Sequence, residues 1–294
     1  MLTKWLGSVT RGKMTKRTIA LTLSHDSVLL VRLHPEPLFL REACHGQSEW
    51  PKVIASLLDQ AGGAGAQVHV VLNPSLVTQL QIEKPAVPDN EMAGALPWAI
   101  KDLVSEPVNQ LICDYVDMPF NPTAKPRATV VCLLRNRVQA IADCINEKAH
   151  LLDITTEEFA LVDLIGRSQR MELLLYRLPG QELSLMAVSE GQLCFSRQLR
   201  GFAINGLGRN ESWPTEKFDE LTLQIQRSLD YLMAQLKLGE AAQLYVAVGS
   251  PLLGPLVHHL ADNFSFPVTA LANGAVVVGL ECLPPYALLQ GAEA

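Results

Sequence analysis

The reactive residue types of this 294-residue chain are not spaced in a way that suits catalysis or metal binding. Ser24, His25 and Asp26 are the residue types of a hydrolytic triad, but three consecutive residues on a strand and turn cannot assemble a proton relay. His258 and His259 are neighbours on a predicted helix and project about 100° apart, which suits no common zinc pair. We therefore expect no catalytic residues and no metal site.

Three other groups have equally plain interpretations. Asp114 and Asp117 stand three apart on a predicted strand, so they lie on opposite faces and are not paired acids. The glycine-rich segment 62–65 has no following Lys-Ser or Lys-Thr and reads as a flexible loop, not a P-loop. Arg227 and Asp230 share one helix face, either as an exposed ion pair or as part of an interface.

Composition favours a globular protein of the reducing cytoplasm. The chain is 48% hydrophobic and 18% charged, and its net charge of −6 gives no overall attraction to nucleic acid. No apolar run approaches the roughly 20 residues that span a bilayer, and no apolar leader begins the chain. Six scattered cysteines without a C-x-x-C pair fit buried thiols better than disulfides or zinc ligands.

Residues 1–17 form a basic tail that contains no acidic residue. Leu2, Trp5 and Leu6 fall near one side of a helix, so the tail could dock weakly on an anionic membrane. The alternative is a solvated tail, which Gly7 and Gly12 favour because glycine weakens helices.

The elements that must position any site follow the same order twice. The first half is predicted to contain strands at 18–24, 27–33 and 38–43, a helix at 49–61 and a strand at 68–72. The second half repeats this with strands at 171–178, 182–188 and 192–199, a helix at 216–238 and a strand at 244–248. The second helix has a regular apolar stripe, made of Phe218, Leu221, Ile225, Leu229, Leu232 and Leu236, and Gly239 is predicted to close it.

This duplicated order is the plan of the actin, sugar-kinase and chaperone-ATPase fold, although three-strand meanders also recur in unrelated α/β chains. We expect an α/β, actin-like (ribonuclease-H-like) duplicated fold, in which two lobes are built from a mixed sheet plus helices. The inserted subdomain of the first lobe is predicted to hold a helix at 89–104, strands at 111–117 and 129–134 and a helix at 137–148. The predicted division is a tail at 1–17, a first lobe at 18–82, the insert at 83–150, a return helix at 151–170 and a second lobe at 171–294.

Several segments resemble the PilM family of type IV pilus assembly proteins, relatives of FtsA, and within it the MshI branch of mannose-sensitive haemagglutinin (MSHA) pilus systems. The segment 95–103, followed by Cys113-Asp114-Tyr115, is similar to the family's insert. The segments 156–161 and 193–199 resemble a helix start and a strand of the family. The segment 225–231 is similar to its Gln-Arg-Ser-Leu-Asp helix and is the most specific. The likeness covers residues 1–285 in order.

The resemblance implies an adaptor at the cytoplasmic face of the inner membrane. Its partner would be a PilN-like bitopic inner-membrane protein, whose short cytoplasmic N-terminal peptide docks in a groove between the first lobe and the insert, alongside contacts to other pilus assembly proteins. A peptide that adds along an exposed strand would gain affinity from backbone pairing. The candidate neighbours of that groove are Leu111, Asp114, Tyr115, Val130 and Leu134.

The nucleotide loops of the fold are altered in this chain. Where the first Asp-x-Gly would stand, the chain has Thr22, Leu23 and Ser24, so the magnesium-holding acid and the glycine are both missing. Where a family lysine would follow, it has Leu29. The second phosphate turn keeps Gly180 without an acid before it.

The adenosine-contacting turn is altered as well. It reads Gly249, Ser250 and Pro251, with Ser250 predicted as the N-cap of a helix that starts at Pro251. Phosphoryl transfer depends on positioning and charge stabilisation, so these losses argue against ATP hydrolysis and, less strongly, against binding of ATP with magnesium. We expect no cofactor and a non-enzymatic role. The alternatives are an ATP-binding switch or slow ATPase of the same complex, and a carbohydrate-kinase relative.

Overall fold

The computed structural model describes residues 18–120, 125–165, 168–202, 213–249, 251–272 and 278–293. The strands are β1 (Thr18–Leu23), β2 (Ser27–Arg32), β3 (Leu38–Ala43), β4 (Gln67–Leu72), β5 (Thr78–Glu83), β6 (Leu111–Asp117), β7 (Arg127–Leu134), β8 (His150–Thr156), β9 (Glu172–Tyr176), β10 (Leu183–Ser189), β11 (Gln192–Leu199), β12 (Gln243–Ala247) and β13 (Val268–Ala270). The helices are α1 (Trp50–Gln60), α2 (Asp89–Ala99), α3 (Arg135–Asn146), α4 (Glu157–Leu161), α5 (Thr215–Ala234), α6 (Leu253–Asn263) and α7 (Leu283–Glu293). No helix among these described segments is long and apolar enough to cross a membrane.

The chain divides into two compact units. The first comprises the described parts of Met1–Met118, Thr123–Leu161 and Pro284–Ala294, and the second those of Pro119–Pro122 and Val162–Leu283. The predicted second lobe ran to residue 294, but α7 groups with the first unit, apart from its first residue.

The two units contain five-stranded sheets of the same strand order. In the first unit the order is β3-β2-β1-β4-β8, and in the second it is β11-β10-β9-β12-β13. In both, three antiparallel strands are followed by two that run parallel to the third. The duplicated order predicted from the sequence is confirmed, and each sheet has one further parallel strand.

The core of the first unit lies where α1 and α3 pack against this sheet. Ile19, Leu21 and Leu23 alternate along β1 and are buried in that core, as a half-apolar strand pattern predicts. The buried face of α1 includes Ile54 and Leu57, and Pro51 in its first turn costs no hydrogen bond.

The core of the second unit confirms the apolar stripe of α5. All six predicted stripe residues belong to that core, among them Leu221, Ile225 and Leu232 at 0% exposure. The helix ends at Ala234, four residues before the predicted end. Lys237 rather than Gly239 takes the left-handed conformation, at φ 60°, because Leu236 and Leu238 turn back into the core.

The insert contains a three-stranded antiparallel sheet in the order β5-β7-β6. The predicted insert began at residue 83 and lacked β5, since its pairing with β7 cannot be read from a local pattern. Met92 and Leu96 of α2 cover one face of this sheet. The helix runs through Pro97 but ends at Ala99, earlier than the predicted 104.

Two predicted elements at the end of the insert differ from the structure. The predicted helix at 137–148 is α3, but its apolar face belongs to the core of the first-lobe sheet, which also contains Ile112, Val131 and Leu133 of the small sheet. The predicted return helix at 151–170 begins instead as the strand β8, which pairs in parallel with β4. Leu151 and Ile154 are buried there, so tertiary pairing outweighs the weak helical pattern.

Candidate functional site

The first predicted phosphate turn, between β1 and β2, is closed by its own hydrogen bonds. The Ser24 N–H donates to the Ser27 carbonyl at 3.0 Å, and the Ser27 N–H donates to Ser24 Oγ at 3.0 Å. Ser24 Oγ in turn donates to Asp26 Oδ1 at 2.7 Å. Two backbone donors that a glycine turn would offer to phosphate are therefore already used.

The charge in this turn is also unfavourable for phosphate. The hydrogen bond from Ser24 holds the pKa of Asp26 below its usual range, so this carboxylate is ionised at neutral pH. Thr22, at the position of the missing acid, places a buried hydroxyl that makes no hydrogen bond to the described residues. The turn thus presents a negative charge where a triphosphate would need donors or a metal ion.

The second predicted phosphate turn, between β9 and β10, is a compact hairpin connection. The Gln181 N–H donates to the Leu178 carbonyl at 3.1 Å, with Pro179 second and Gly180 third in the turn. Gly180 has a φ of +77°, the conformation that the third position of a type II turn requires. Arg177 Nε donates to the Gln181 carbonyl at 2.9 Å and so braces the turn from within.

The third predicted loop lies in the second unit and is described in part. Gly249 follows β12, while Ser250 lies outside the described residues. Helix α6 begins at Leu253 with Leu252 as its N-cap, so the predicted helix start at Pro251 is wrong by two residues. Leu252 is fully buried, and its packing sets the start of the helix.

Sequence reasoning missed a polar pair at the carboxyl end of the parallel strands in the first unit. Asn73 follows β4, Glu157 follows β8, and Asn73 Nδ2 donates to Glu157 Oε1 at 3.1 Å. Glu157 is only 3% exposed. A polar residue directly after each of two buried parallel strands is the signal that could have found them, because ligands of α/β sheets bind at that edge.

A cavity of about 390 Å³ lies in the insert between α2 and β6. Its walls are Asp89, Asn90, Ala93 and Leu96 on the helix side and Cys113, Asp114 and Tyr115 on the strand side. Successive residues of a strand point to opposite faces, so a cavity lined by three in a row must run along the strand's edge. β6 is the outer strand of the three described strands of its sheet, and the cavity therefore borders a sheet edge.

The mouth of this edge cavity is held by a polar network. The Tyr115 hydroxyl donates to Asp89 Oδ1 at 3.0 Å, while Lys84 Nζ lies 4.9 Å from the centre of the Tyr115 ring. Lys84 also contacts Asp117 at 2.8 Å, and this hydrogen bond raises the pKa of Lys84. Asp114 is 8% exposed, and its Oδ1 accepts the Tyr115 N–H at 2.8 Å.

The five predicted partner-binding residues fall into two groups. Asp114 and Tyr115 line the edge cavity. Val130 and Leu111, at 0% and 4% exposure, belong to the core beneath α2, and Leu134 packs against that core. All five are predicted as neighbours of the groove that the resemblance implies, and sequence alone does not separate a buried strand face from a binding face.

Several solved structures are similar to this chain in topology. The PilM–PilN type IV pilus biogenesis complex contains a chain that matches with a TM-score of 0.64 and 16% identity, over 97% of this chain and 100% of that one. A Bacteroides thetaiotaomicron protein described as having an actin-like ATPase fold and unknown function matches with a TM-score of 0.51 and 12% identity, over 92% and 98%. This chain has an actin-like fold.

Another solved protein shares this actin-like fold. The cytoplasmic domain of EpsL, an inner-membrane component of the type II secretion system of Vibrio cholerae, matches with a TM-score of 0.52 and 16% identity, over 93% of this chain and 94% of that one. Comparison with protein-family models and with curated proteins gives no match. At these identities the likeness establishes the architecture.

Proposed function

We propose that this chain is a non-enzymatic adaptor of a type IV pilus or related secretion machinery at the inner membrane, of the PilM type and its MSHA branch. In this role it binds the cytoplasmic N-terminal peptide of a PilN-like bitopic partner. The observation that carries the proposal is the edge cavity, in which an outer sheet strand, β6, borders a half-apolar, acidic pocket. The fold shared with PilM and the EpsL cytoplasmic domain supports the same assignment.

The cavity fits an extended peptide better than a small ligand. A peptide strand laid along β6 would gain backbone hydrogen bonds, and its alternate side chains would enter the pocket under α2. The Asp114 carboxylate is mostly buried in this wall, and no lysine or arginine is among the lining residues. Charge complementarity therefore favours a peptide that carries a cationic residue at this point.

Two large apolar side chains at the end of α2 are exposed. Trp98, near the end of α2, is 66% exposed, and Leu103, just beyond the helix, is 58% exposed. Exposed tryptophan is costly to hydrate and is enriched at interfaces. We propose that these two side chains contact a partner protein outside the peptide-binding pocket.

The state of the nucleotide turns supports adaptor function over an ATP switch. The first turn uses its own N–H donors and carries the Asp26 charge, and the second is closed around Gly180. We assign no cofactor, and Ser24, Gly180 and Gly249 are remnants of loops that hold nucleotide in other actin-like proteins. Contact between the tail 1–17 and lipid remains a prediction, because that tail lies outside the described residues.

Fluorescence anisotropy tests the proposal. The probe is a labelled peptide that copies the cytoplasmic N-terminus of a PilN-like single-pass inner-membrane protein. We expect saturable binding, weakened about 10- to 100-fold by Asp114→Asn, which keeps the shape of the side chain and removes its charge. Asp230→Asn on α5 is the matched control and should bind as the native chain does. Equal affinity of native and Asp114→Asn proteins would rule out the cavity as the peptide site.

A further inference from the structure

Two cysteines face each other in the wall of the edge cavity. Cys113 of β6 and Cys132 of β7 are directly opposed in the strand register, and their sulfur atoms lie 3.3 Å apart. Both side chains belong to the core under α2, at 8% and 2% exposure. No local sequence pattern marks this pair, because the two residues stand 19 positions apart and lack C-x-x-C spacing.

The backbone already has the geometry that a disulfide needs. Directly opposed residues of antiparallel strands have Cα atoms about 4.5–5.5 Å apart, and disulfides occur at Cα separations of about 4.4–6.8 Å. The sulfur atoms need only approach from 3.3 Å to about 2 Å, which side-chain rotation supplies.

The two thiols differ in access and in acidity. Cys113 lines the cavity and is reached from solvent through it, whereas Cys132 is not among the lining residues. The hydrogen bond with Cys132 lowers the pKa of the Cys113 thiol, and the same contact, with burial, raises the pKa of Cys132. Access through the cavity therefore makes Cys113 the sulfur that meets an oxidant first, and Cys132 is its nearest thiol partner.

We propose that Cys113 and Cys132 form a reversible redox dithiol, which a peroxide converts to a disulfide in the wall of the edge cavity. The Cys113 thiolate attacks one peroxide oxygen, which breaks the O–O bond, releases hydroxide and leaves a sulfenic acid on Cys113. The Cys132 sulfur then displaces that hydroxyl group, so that the S–S bond forms and water leaves with the Cys132 proton. A small thiol or dithiol restores both thiols by exchange.

This oxidation would change the cavity itself. Disulfide formation draws the Cys113 sulfur away from the cavity toward β7 and ties the edge strand covalently to its neighbour. An effect of this change on peptide docking rests on the proposed function, whereas formation of the disulfide does not.

Other buried cysteines of the chain provide internal controls. Burial raises the pKa of Cys144 and of Cys194 to about 11, so both remain protonated thiols at neutral pH. Cys144 Sγ donates to the Pro51 carbonyl at 3.4 Å, and Cys194 Sγ to the Gln192 carbonyl at 3.3 Å. A general loss of structure under oxidant would expose them equally, so their reactivity separates a specific reaction from unfolding.

The experiment treats the full chain with hydrogen peroxide at neutral pH and then alkylates the remaining thiols for mass spectrometry. We expect loss of two hydrogen atoms, a cross-link between Cys113 and Cys132, and reversal by dithiothreitol. Both thiols should be lost at least about ten times faster than Cys144 and Cys194. Cys113 and Cys132 alkylated as fully as those controls after peroxide would overturn the proposal.

Two variants test the order of the reaction. In Cys132→Ala, the Cys113 sulfenic acid has no partner and should be trapped by a dimedone-type reagent. In Cys113→Ala, Cys132 should stay a thiol that the dimedone-type reagent does not label. Labelling of Cys132 in this variant as fast as that of Cys113 in Cys132→Ala would refute the assigned roles. Peptide binding by the reduced protein is measured separately, so failure of the disulfide to form and failure of the proposed function give different results.

Discussion

Removing one hydroxyl from the β1–β2 turn should loosen it measurably. Ser24→Ala deletes the acceptor of the Ser27 N–H and the donor to Asp26 Oδ1, bonds of 3.0 Å and 2.7 Å. A neutral hydrogen bond contributes about 0.5–1.5 kcal/mol net, and one to a carboxylate about 1.5–3 kcal/mol. Because Asp26 is exposed, solvent screening reduces its bond to about 0.2–1 kcal/mol, so the free energy of unfolding should fall by about 1–2 kcal/mol in all.

The pH dependence of this loss has a defined sign. Ser24 lowers the folded-state pKa of Asp26, so the stabilisation from this carboxylate is present above its unfolded pKa, near 3.8. This stabilisation disappears as pH falls through the lower pKa that Asp26 has in the folded protein. The difference in unfolding free energy between the native and Ser24→Ala proteins should therefore become smaller in strong acid. The part that remains is the contribution of the hydrogen bond from the Ser27 N–H.

Denaturant unfolding from pH 7 to pH 2, with NMR titration of the Asp26 carboxyl, measures both effects. Ser105→Ala is the control, since Ser105 is exposed and makes no hydrogen bond with the described part of the chain. An unchanged unfolding midpoint together with an unchanged Asp26 titration would refute the account of a self-bonded turn.

Three further substitutions test packing and burial within each of the two units. Ile225→Ala, at a fully buried position of α5, should cost about 2–5 kcal/mol of unfolding free energy in guanidinium, and a loss below 1 kcal/mol would contradict its place in the core. Burial raises the pKa of Glu172, and a hydrogen bond from Tyr245 offsets part of this rise. Glu172→Gln should therefore raise the melting temperature slightly at pH 7, and this gain should shrink as pH falls toward 4.5. Gly63→Ala places a methyl group 3.0–3.1 Å from Leu58 and Ile19 atoms and should lower stability by about 1–3 kcal/mol, whereas a more stable protein would show that the site has room.

The elements that sequence predicts best are those with strong local patterns. The stripe of α5 and the alternation along β1 each bury one face, and both are found as predicted. The duplicated order followed because turns and strands recur in the same sequence in both halves. Membership of β5 and β8 in their sheets depends on pairing with distant strands, and no local pattern encodes it.

The candidate site was predicted only in part, for a similar reason. Asp114 and Tyr115 were identified through resemblance, and both line the cavity. Val130 looks equivalent in sequence but faces the core, because apolar strand residues serve packing and binding alike. The pairing of Cys113 with Cys132 is set by the strand register, so only the structure reveals it.

Titration calorimetry on one preparation of the full chain tests the central claim most directly. The native protein is titrated with the N-terminal peptide of the PilN-like partner and, separately, with ATP and magnesium. We predict saturable peptide binding with a dissociation constant of about 1–50 μM, weakened in Asp114→Asn, and no heat from magnesium ATP up to about 1 mM. Micromolar binding of magnesium ATP, with no binding of the peptide, would contradict the adaptor and favour a nucleotide switch.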